Sequence, residues 1–272
     1  MESSTLPTTQ DSVSLPTTIL VHQSDKDNEV EAPKSTIEAV TLFLFPQEEA
    51  LFRLVVNVAN AFGRGGRDLE EEEGGEEDDD DNSNEALKSR ERPSSITVRV
   101  AGGWVRDKLV QDYGGKYDVD LTVDTLTGVQ FARLLQSYVQ KHRPDLSMSR
   151  RLGVIAANPA QSKHLETATL RVGDIEMDLC NLRSHEVYTE DSRIPVVTFG
   201  TPLEDAQRRD FTVNALFYNL HSRCVEDWTQ RGVADLLQNH RLITPLEPVQ
   251  TFRDDPLRIL RAIRFAVRMK LN

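Results

Sequence analysis

Three aspartates in strand-like segments are the first candidates for chemistry. Asp118 and Asp120 flank Val119, so in a strand both carboxylates would lie on one face. Neighbouring carboxylates repel each other unless a cation lies between them, and hard divalent ions prefer such oxygen ligands. The spacing therefore favours a metal site, although Asp-x-Asp is also common on exposed strands. Asp178 could add a third carboxylate from a neighbouring strand, or lie on a solvated strand face.

Glycines and arginines form a second group. Gly102 and Gly103 follow a predicted strand, and Arg106 lies in the first turn of the helix expected after them. Backbone N–H groups at such a corner can approach phosphate oxygens closely, and an arginine adds a bidentate charge. An ordinary strand-to-helix corner would show the same residues. Arg208 and Arg209 suit a polyphosphate or, equally, a surface ion-pair cluster.

The end of the chain carries a row of arginines. Asp255 and Arg258 are three residues apart, so they lie on one side of the helix predicted over residues 256–270. Further arginines continue that side at spacings of three, three and four, namely Arg261, Arg264 and Arg268. The apolar face of the helix comprises Leu260, Ile263 and Val267. An amphipathic surface helix without a ligand would show the same pattern.

The elements that must position these residues indicate a mixed α+β fold. Strands are predicted over residues 96–100, 117–123 and 223–228, and Gly173-Asp174 joins a hairpin of residues 167–172 and 175–182. Amphipathic helices are predicted over residues 47–62, 105–110 and 127–142. A capping box at residues 201–204 predicts a helix that carries Arg208, Arg209 and Asp210, with another helix over residues 214–218.

Composition leaves a nucleic-acid partner open. The 272 residues carry 32 basic and 44 acidic side chains, a net charge of −12, but 11 of the acids fall within residues 68–81. Without that block the balance is 32 − 33 = −1, so the acidity is local. No apolar run approaches the ~18 residues of a transmembrane helix. Two cysteines cannot form a disulfide framework, and a reduced intracellular protein is the expectation.

Six segments in fixed order resemble class II tRNA nucleotidyltransferases, the CCA-adding enzymes, and most of all their eukaryotic branch. The segments read AGGWVRDKL, YDVDLTVD, DLCNLRSHEVYTEDSRIP, FGTPLEDAQRRDFTVNALFYNL, EDWTQRGVADL and TFRDDPLRILRAIRFA. The resemblance runs from about residue 36 to the end, omitting residues 63–95. It implies an α+β, polymerase-β-like nucleotidyltransferase head, a small mixed sheet with helices, followed by the start of an all-helical neck.

The resemblance also implies roles for the candidate residues. Asp118 and Asp120 would bind Mg²⁺, with Asp178 as the third catalytic acid. The residues implied to bind nucleotide are Gly102, Gly103, Arg106, Arg208, Arg209, Asp255, Arg258, Arg261 and Arg264. The residues matching the motif that links head and neck are Asp227, Gly232 and Asp235. Asp254 stands where the family often has Glu. The implied reaction adds CMP, CMP and AMP to the 3′ end of tRNA from CTP and ATP, without a template, by two-metal phosphoryl transfer.

The expected organisation has three parts. Residues 1–35 form a disordered tail, residues 36–230 the head with a disordered acidic insertion at 63–95, and residues 231–272 the beginning of the neck. The family continues further than residue 272, so a truncated form is expected. Two alternatives remain open: a class II poly(A) polymerase and a non-catalytic nucleotide-binding fragment. We expect a cytoplasmic location, a nuclear one or both, since mitochondrial targeting is not evident. We expect no membrane partner, and the sequence gives no evidence for a protein partner.

Overall fold

The computed structural model describes residues 13–15, 19–21, 42–63, 95–112, 118–149, 152–155, 167–183 and 199–272. Within these ranges, no helix is both long enough and apolar enough to cross a membrane.

A mixed eight-stranded sheet runs through the described part of the chain. In spatial order its strands are β2 (Ile19–Val21), β10 (Cys224–Asp227), β9 (Phe217–Asn219), β4 (Val98–Ala101), β5 (Val119–Val123), β8 (Ile175–Asn181), β7 (Thr167–Val172) and β6 (Gly153–Ile155). The pairs β5–β8 and β10–β2 are parallel, and the other pairs are antiparallel. A separate antiparallel pair joins β1 (Val13–Leu15) to β3 (Leu42–Leu44).

Helices lie between these strands and after the last of them. They are α1 (Pro46–Gly63), α2 (Gly103–Leu109), α3 (Gly128–His142), α4 (Pro202–Gln207), α5 (Gly232–Leu237), α6 (Pro248–Asp254) and α7 (Leu257–Met269), with a 3₁₀ turn at Thr212–Asn214. Reciprocal capping boxes begin α3 at Thr127 and α4 at Thr201, which fixes where both helices start. The mixed sheet with helices confirms the α+β class.

The core lies between one face of the sheet and the helices α1 and α3. Val119, Leu121 and Val123 of β5 are buried in it, whereas Asp120 points to the opposite face. The same alternation in β8 buries Met177 and leaves Asp178 on the opposite face. Burial of one strand face therefore fixes the side of the sheet on which the polar residues gather.

A buried ion pair attaches α2 to α1. The Lys108 ammonium lies 2.7 Å from a Glu48 carboxylate oxygen, and the Trp104 indole N–H donates to the other oxygen at 2.9 Å. All three side chains are buried. Because an unpaired charge at this depth would be costly, the pair holds the short helix that follows the glycine corner in one position.

Two sequence-based predictions after residue 200 are wrong. Arg208 caps the end of α4, so Arg208, Arg209 and Asp210 follow that helix and do not lie within it. Residues 214–218 are not a helix: the 3₁₀ turn gives way to β9, which pairs with β4 and β10. Phe217 and Tyr218 are both buried, on opposite faces of the sheet. A strand buried on both faces lacks the alternation that would have identified it.

The predicted tail and insertion fall mostly outside the described residues. Within residues 1–35, the structure places Val13–Leu15 and Ile19–Val21 in strands, where disorder was expected. Their pairing with β3 and β10 supplies hydrogen bonds that local composition does not reveal. Residues 64–94 of the acidic insertion are not described, and the division into tail, head and neck stays a prediction.

Substituting Gly128 tests how closely α3 packs on β8. An added Cβ would lie 2.0 Å from the Leu179 carbonyl oxygen and 2.8 Å from the Cys180 Cα. Because these are backbone atoms, Gly128→Ala should push α3 away from β8 and lower the free energy of unfolding by about 2–3 kcal/mol. Urea denaturation measures this loss. Gly153→Ala is the control, because a Cβ added there would lie 3.4 Å from its nearest neighbour, the Thr169 Cβ. Equal urea midpoints for the two variants would contradict the packing argument.

Candidate active site

A cleft of about 730 Å³ opens on the polar face of the sheet. Each candidate residue from the sequence lines it, namely Gly102, Gly103, Arg106, Asp118, Asp120, Asp178, Arg208, Arg209, Asp255, Arg258, Arg261 and Arg264. Five different parts of the chain contribute these residues, so the fold brings together segments that are up to 160 residues apart. Their roles stay proposals.

The three carboxylates meet because β5 and β8 run parallel and in register. Asp120 lies directly opposite Asp178, and Asp118 immediately precedes β5. The Thr169 hydroxyl, on the next strand, donates a hydrogen bond to the Asp178 carboxylate at 2.6 Å. Asp178 thus has a fixed orientation beside Asp120, and Thr169 is a contact that no sequence motif indicated.

Electrostatics make Asp120 the unusual carboxylate. Partial removal from water raises its pKa to about 6; Asp178 and Asp118 push it further up, while Arg209 opposes the rise. A bound cation would relieve this cost, and carboxylate oxygens suit a hard divalent ion. The described residues contain no group of three or more His, Cys, Asp or Glu side chains arranged to hold a metal. The fit therefore rests on Asp118, just before β5, and Asp120 within it, with Asp178 beside them.

The glycine corner lies against the arginines. Gly102 has φ +70°, a region that favours glycine, and a Cβ there would lie 3.0 Å from an Arg209 guanidinium nitrogen. Arg106 is buried, donates to the Asn214 side-chain oxygen at 2.5 Å and pairs with Asp107 at 2.7 Å. A side chain at position 102 would therefore crowd the guanidinium groups that face the cleft.

Asp205 is a buried carboxylate that the sequence analysis missed. It accepts two hydrogen bonds from Arg209, at 2.8 and 3.0 Å, and lies 3.5 Å from Arg208. Burial favours the protonated form, but the two guanidinium groups outweigh it and hold the pKa of Asp205 below its usual value. The spacing of three and four residues within and after α4 was a usable signal for this contact.

The motif predicted to link head and neck lies beside the 3₁₀ turn at Thr212–Asn214. Asp227 accepts the Val233 backbone N–H at 3.0 Å, and Asp235 accepts the Thr212 hydroxyl at 2.8 Å. A Cβ on Gly232 would lie 2.5 Å from the Thr212 carbonyl oxygen. These three residues lie outside the cleft lining: Asp235 and Gly232 contact the 3₁₀ turn that carries Asn214, and Asp227 holds the start of α5.

The arginines of α7 face the cleft, as their spacing predicted. Arg258 donates to the Arg208 carbonyl oxygen at 2.9 Å, and Arg261 pairs with Asp210 at 2.7 Å. Arg268 pairs with Asp112 at 2.9 Å. The opposite face of the helix is open to solvent, with Leu260, Ile263 and Val267 60–75% exposed. The helix is thus attached to the head through its basic side.

Other lining residues carried no signal strong enough to identify them. Asp107, Asp210 and Asn214 occur within the quoted motifs but had no role assigned. The buried Phe265 ring lies beneath three guanidinium groups, at 4.9–5.3 Å from Arg106, Arg261 and Arg264. Cys180 follows Asp178 on the same strand face, and burial raises the pKa of its thiol to about 11. Arg183, at the end of β8, also lines the cleft.

Comparisons with known proteins place this cleft in a family. The poly A polymerase head domain matches residues 98–243, more than half of the chain. The mitochondrial CCA tRNA nucleotidyltransferase of Saccharomyces cerevisiae is 52% identical over 186 residues, which are 68% of this chain and 33% of the relative. A tRNA nucleotidyltransferase of Schizosaccharomyces pombe is 50% identical over 175 residues, 64% of this chain and 34% of the relative. The chain spans about a third of the length of these curated relatives.

A solved structure supports the fold. The Thermotoga maritima CCA-adding enzyme complexed with tRNA has a TM-score of 0.51 and 23% identity, over 84% of this chain and 40% of that one. At this identity the likeness concerns the fold alone. Because the family match covers more than half of its length, the chain belongs to the poly A polymerase head domain family, and the high identity to tRNA nucleotidyltransferases confirms the resemblance to their class II.

Proposed function

We propose that the chain is the head of a CCA-adding tRNA nucleotidyltransferase, which transfers CMP, CMP and AMP from CTP and ATP to the 3′ end of tRNA. One observation carries the proposal: a single cleft joins the carboxylates of β5 and β8 to the arginines around the glycine corner and to the Asp255–Arg258 pair. The parts needed to hold a triphosphate, its base and an attacking hydroxyl thus face one volume. The two relatives described above, at 50% and 52% identity, are named as tRNA nucleotidyltransferases, which favours this reaction over poly(A) addition.

The triphosphate would lie between the glycine corner and the arginines. Gly102 permits close approach of a phosphate, because its missing side chain leaves the backbone open beside Arg209. Arg106 and Arg209 are each fixed by a carboxylate, so their free N–H groups keep a constant direction. Preorganised donors of this kind stabilise the charge that develops on the α-phosphate during transfer.

The proposed metal is Mg²⁺, held by Asp118 and Asp120. The cleft lining contains eight arginines and seven aspartates, so its net charge is close to zero without a cation. Bound Mg²⁺ would neutralise carboxylate and triphosphate charge and favour ionisation of the attacking hydroxyl. Asp178, which the Thr169 hydroxyl orients, would accept a hydrogen bond from that attacking hydroxyl.

The base would meet Asp255 and Arg258. Cytosine presents an N4 donor beside an N3 acceptor, and adenine an N6 donor beside an N1 acceptor, so a carboxylate next to a guanidinium complements both. Uracil and guanine reverse that order and would leave buried groups unpaired. Arg258 is anchored to the Arg208 and Thr251 carbonyl oxygens, which gives this pair a fixed geometry in the chain.

The location of the protein is a separate proposal. The sequence favours the cytoplasm or nucleus, whereas the relative from Saccharomyces cerevisiae is named as mitochondrial. We therefore propose that part of the protein is mitochondrial. Fluorescence microscopy of the tagged protein distinguishes the compartments.

The carboxylate assignment predicts a severe loss of activity for Asp120→Asn. Incorporation of labelled CMP into tRNA lacking its terminal CCA should fall below detection, because one of the two proposed Mg²⁺ ligands is neutral. The thermal midpoint should not fall, since a source of repulsion between carboxylates is removed. Glu176→Gln is the control: Glu176 lies on β8, on the same face of the sheet but outside the cleft lining, and the variant should retain activity. Near-normal transfer by Asp120→Asn would refute the metal assignment.

The raised pKa of Asp120 predicts a pH-dependent stability in the metal-free protein. A carboxyl pKa of about 6 in the folded state, against 3.8 as the ordinary value, means that folding disfavours the charged form. The stability that protonated Asp120 contributes to the folded state is therefore fully present below pH ~4, and it is lost as the pH rises through ~6. Wild type should be less stable than Asp120→Asn at pH 7.5 and equal to it at pH 4, by urea denaturation. Adding Mg²⁺ should stabilise only wild type; a pH-independent difference would contradict the shift.

The base-recognition argument predicts that Arg258→Gln blurs nucleotide choice. Wild type should bind CTP and ATP more tightly than UTP and GTP, and the variant should lose about tenfold or more of that preference, because a charged hydrogen-bonding partner is gone. Titration calorimetry with the four triphosphates measures this. Arg253→Gln, an exposed arginine on α6 outside the cleft lining, is the matched control. An unchanged preference in Arg258→Gln would show that selection lies elsewhere.

A further inference from the structure

Two polar residues connect α7 to the glycine corner. The Asp210 carboxylate accepts the Arg261 Nε–H at 2.7 Å through one oxygen, and the Asn214 amide at 3.0 Å through the other. Asn214 in turn accepts a hydrogen bond from Arg106 at 2.5 Å. Asp210 and Asn214 are 7% and 5% exposed, so these bonds are shielded from competing water.

The charges around this connection explain why a carboxylate is needed there. Arg106, Arg261 and Arg264 surround one ring, each guanidinium 4.9–5.3 Å from the Phe265 centre, and these like charges repel one another. The buried Asp210 carboxylate bonds directly to Arg261 and is connected to Arg106 through Asn214. A second carboxylate, Asp107, pairs with both Arg106 and Arg268.

Asp210 itself has little capacity left for a ligand. One oxygen accepts both Asn214 and the Phe211 backbone N–H, and the other accepts Arg261. The carboxylate is therefore committed to protein partners. Its effect on a nucleotide must pass through the arginines that it orients.

We infer that Asp210 is a positioning residue. It fixes α7, the helix proposed to select the base, relative to Arg106, which is proposed to bind the triphosphate, and Asn214 links the two. The inference rests on the proposed function and extends it. Arg261 lies one turn beyond Arg258 on α7, so its bond to Asp210 fixes the depth and rotation at which Asp255 and Arg258 enter the cleft. Base selectivity should therefore depend on Asp210 more strongly than triphosphate binding does.

The variant Asp210→Asn separates these two effects. The Asn oxygen can still accept Asn214 and Phe211, but its NH₂ group faces the Arg261 guanidinium and cannot accept from it. Calorimetry on the whole chain with CTP, UTP and inorganic tripolyphosphate, each with Mg²⁺, measures both properties. We expect the CTP-to-UTP preference to fall about tenfold, and tripolyphosphate affinity to stay within about twofold of wild type. Asp112→Asn is the control. It removes the exposed carboxylate that pairs with Arg268, another arginine of α7, and it should retain the CTP-to-UTP preference.

Arg261→Gln removes the other partner of the same ion pair. Because Arg261 is half-exposed, this variant should fold, and its CTP-to-UTP preference can be measured even if Asp210→Asn does not fold. If the two residues act as one unit, Asp210→Asn/Arg261→Gln loses no more preference than Arg261→Gln alone. Additive losses, an unchanged preference in Arg261→Gln, or a parallel loss of tripolyphosphate binding in Asp210→Asn would overturn the inference. A wild-type chain that binds CTP no better than UTP would instead contradict the proposed function.

Discussion

The parallel, in-register pairing of β5 with β8 is the constraint on which the cleft depends. It joins strands that begin 56 residues apart and places Asp120 beside Asp178, at the cost of three like charges on one sheet face. The cost is sustained because the other face of both strands is buried against α3, and a register shift by one residue would expose that apolar face to water. Packing on one side of the sheet thus maintains an unfavourable charge arrangement on the other.

The arginines present the opposite electrostatic problem, and the chain solves it with buried or half-buried aspartates. Asp205 orients the two arginines that follow α4, Asp107 orients Arg106, and Asp210 orients Arg261. Each guanidinium keeps some N–H groups directed toward the cleft while another edge is fixed. Side-chain entropy that a flexible arginine would lose on binding a phosphate has therefore been lost on folding.

What could be predicted from the sequence follows the range of the interaction. Local patterns identified the Thr201 capping box, the hairpin at Gly173 and the strand alternation that points Asp120 away from the core; Asp118, predicted within that strand, lies just before it. The one-sided row of arginines on α7 was also readable, because helical spacing depends only on sequence distance. All the candidate residues of the cleft came from such local patterns and from the family motifs in which they occur.

The parts that escaped prediction depend on contacts between distant segments. β9 is buried on both faces, so its sequence resembles that of a buried helix. The pairing of β2 with β10 joins segments about 200 residues apart. Glu48 reads as an ordinary acidic residue near a helix start until Lys108 and Trp104 are placed beside it. Thr169 likewise gains its contact with Asp178 only through the register of two strands.

Cys180 gives the cleft a chemical property of its own. Cys180 lies two residues from Asp178 in a cleft lined by eight arginines, and nearby positive charge ordinarily favours a reactive thiolate. Burial dominates, however, and with a pKa of about 11 the thiol remains protonated at neutral pH. Peroxide and electrophiles attack the thiolate, so this sulfur resists both. Formation of a sulfenic acid or a mixed disulfide at this position is consequently disfavoured at neutral pH.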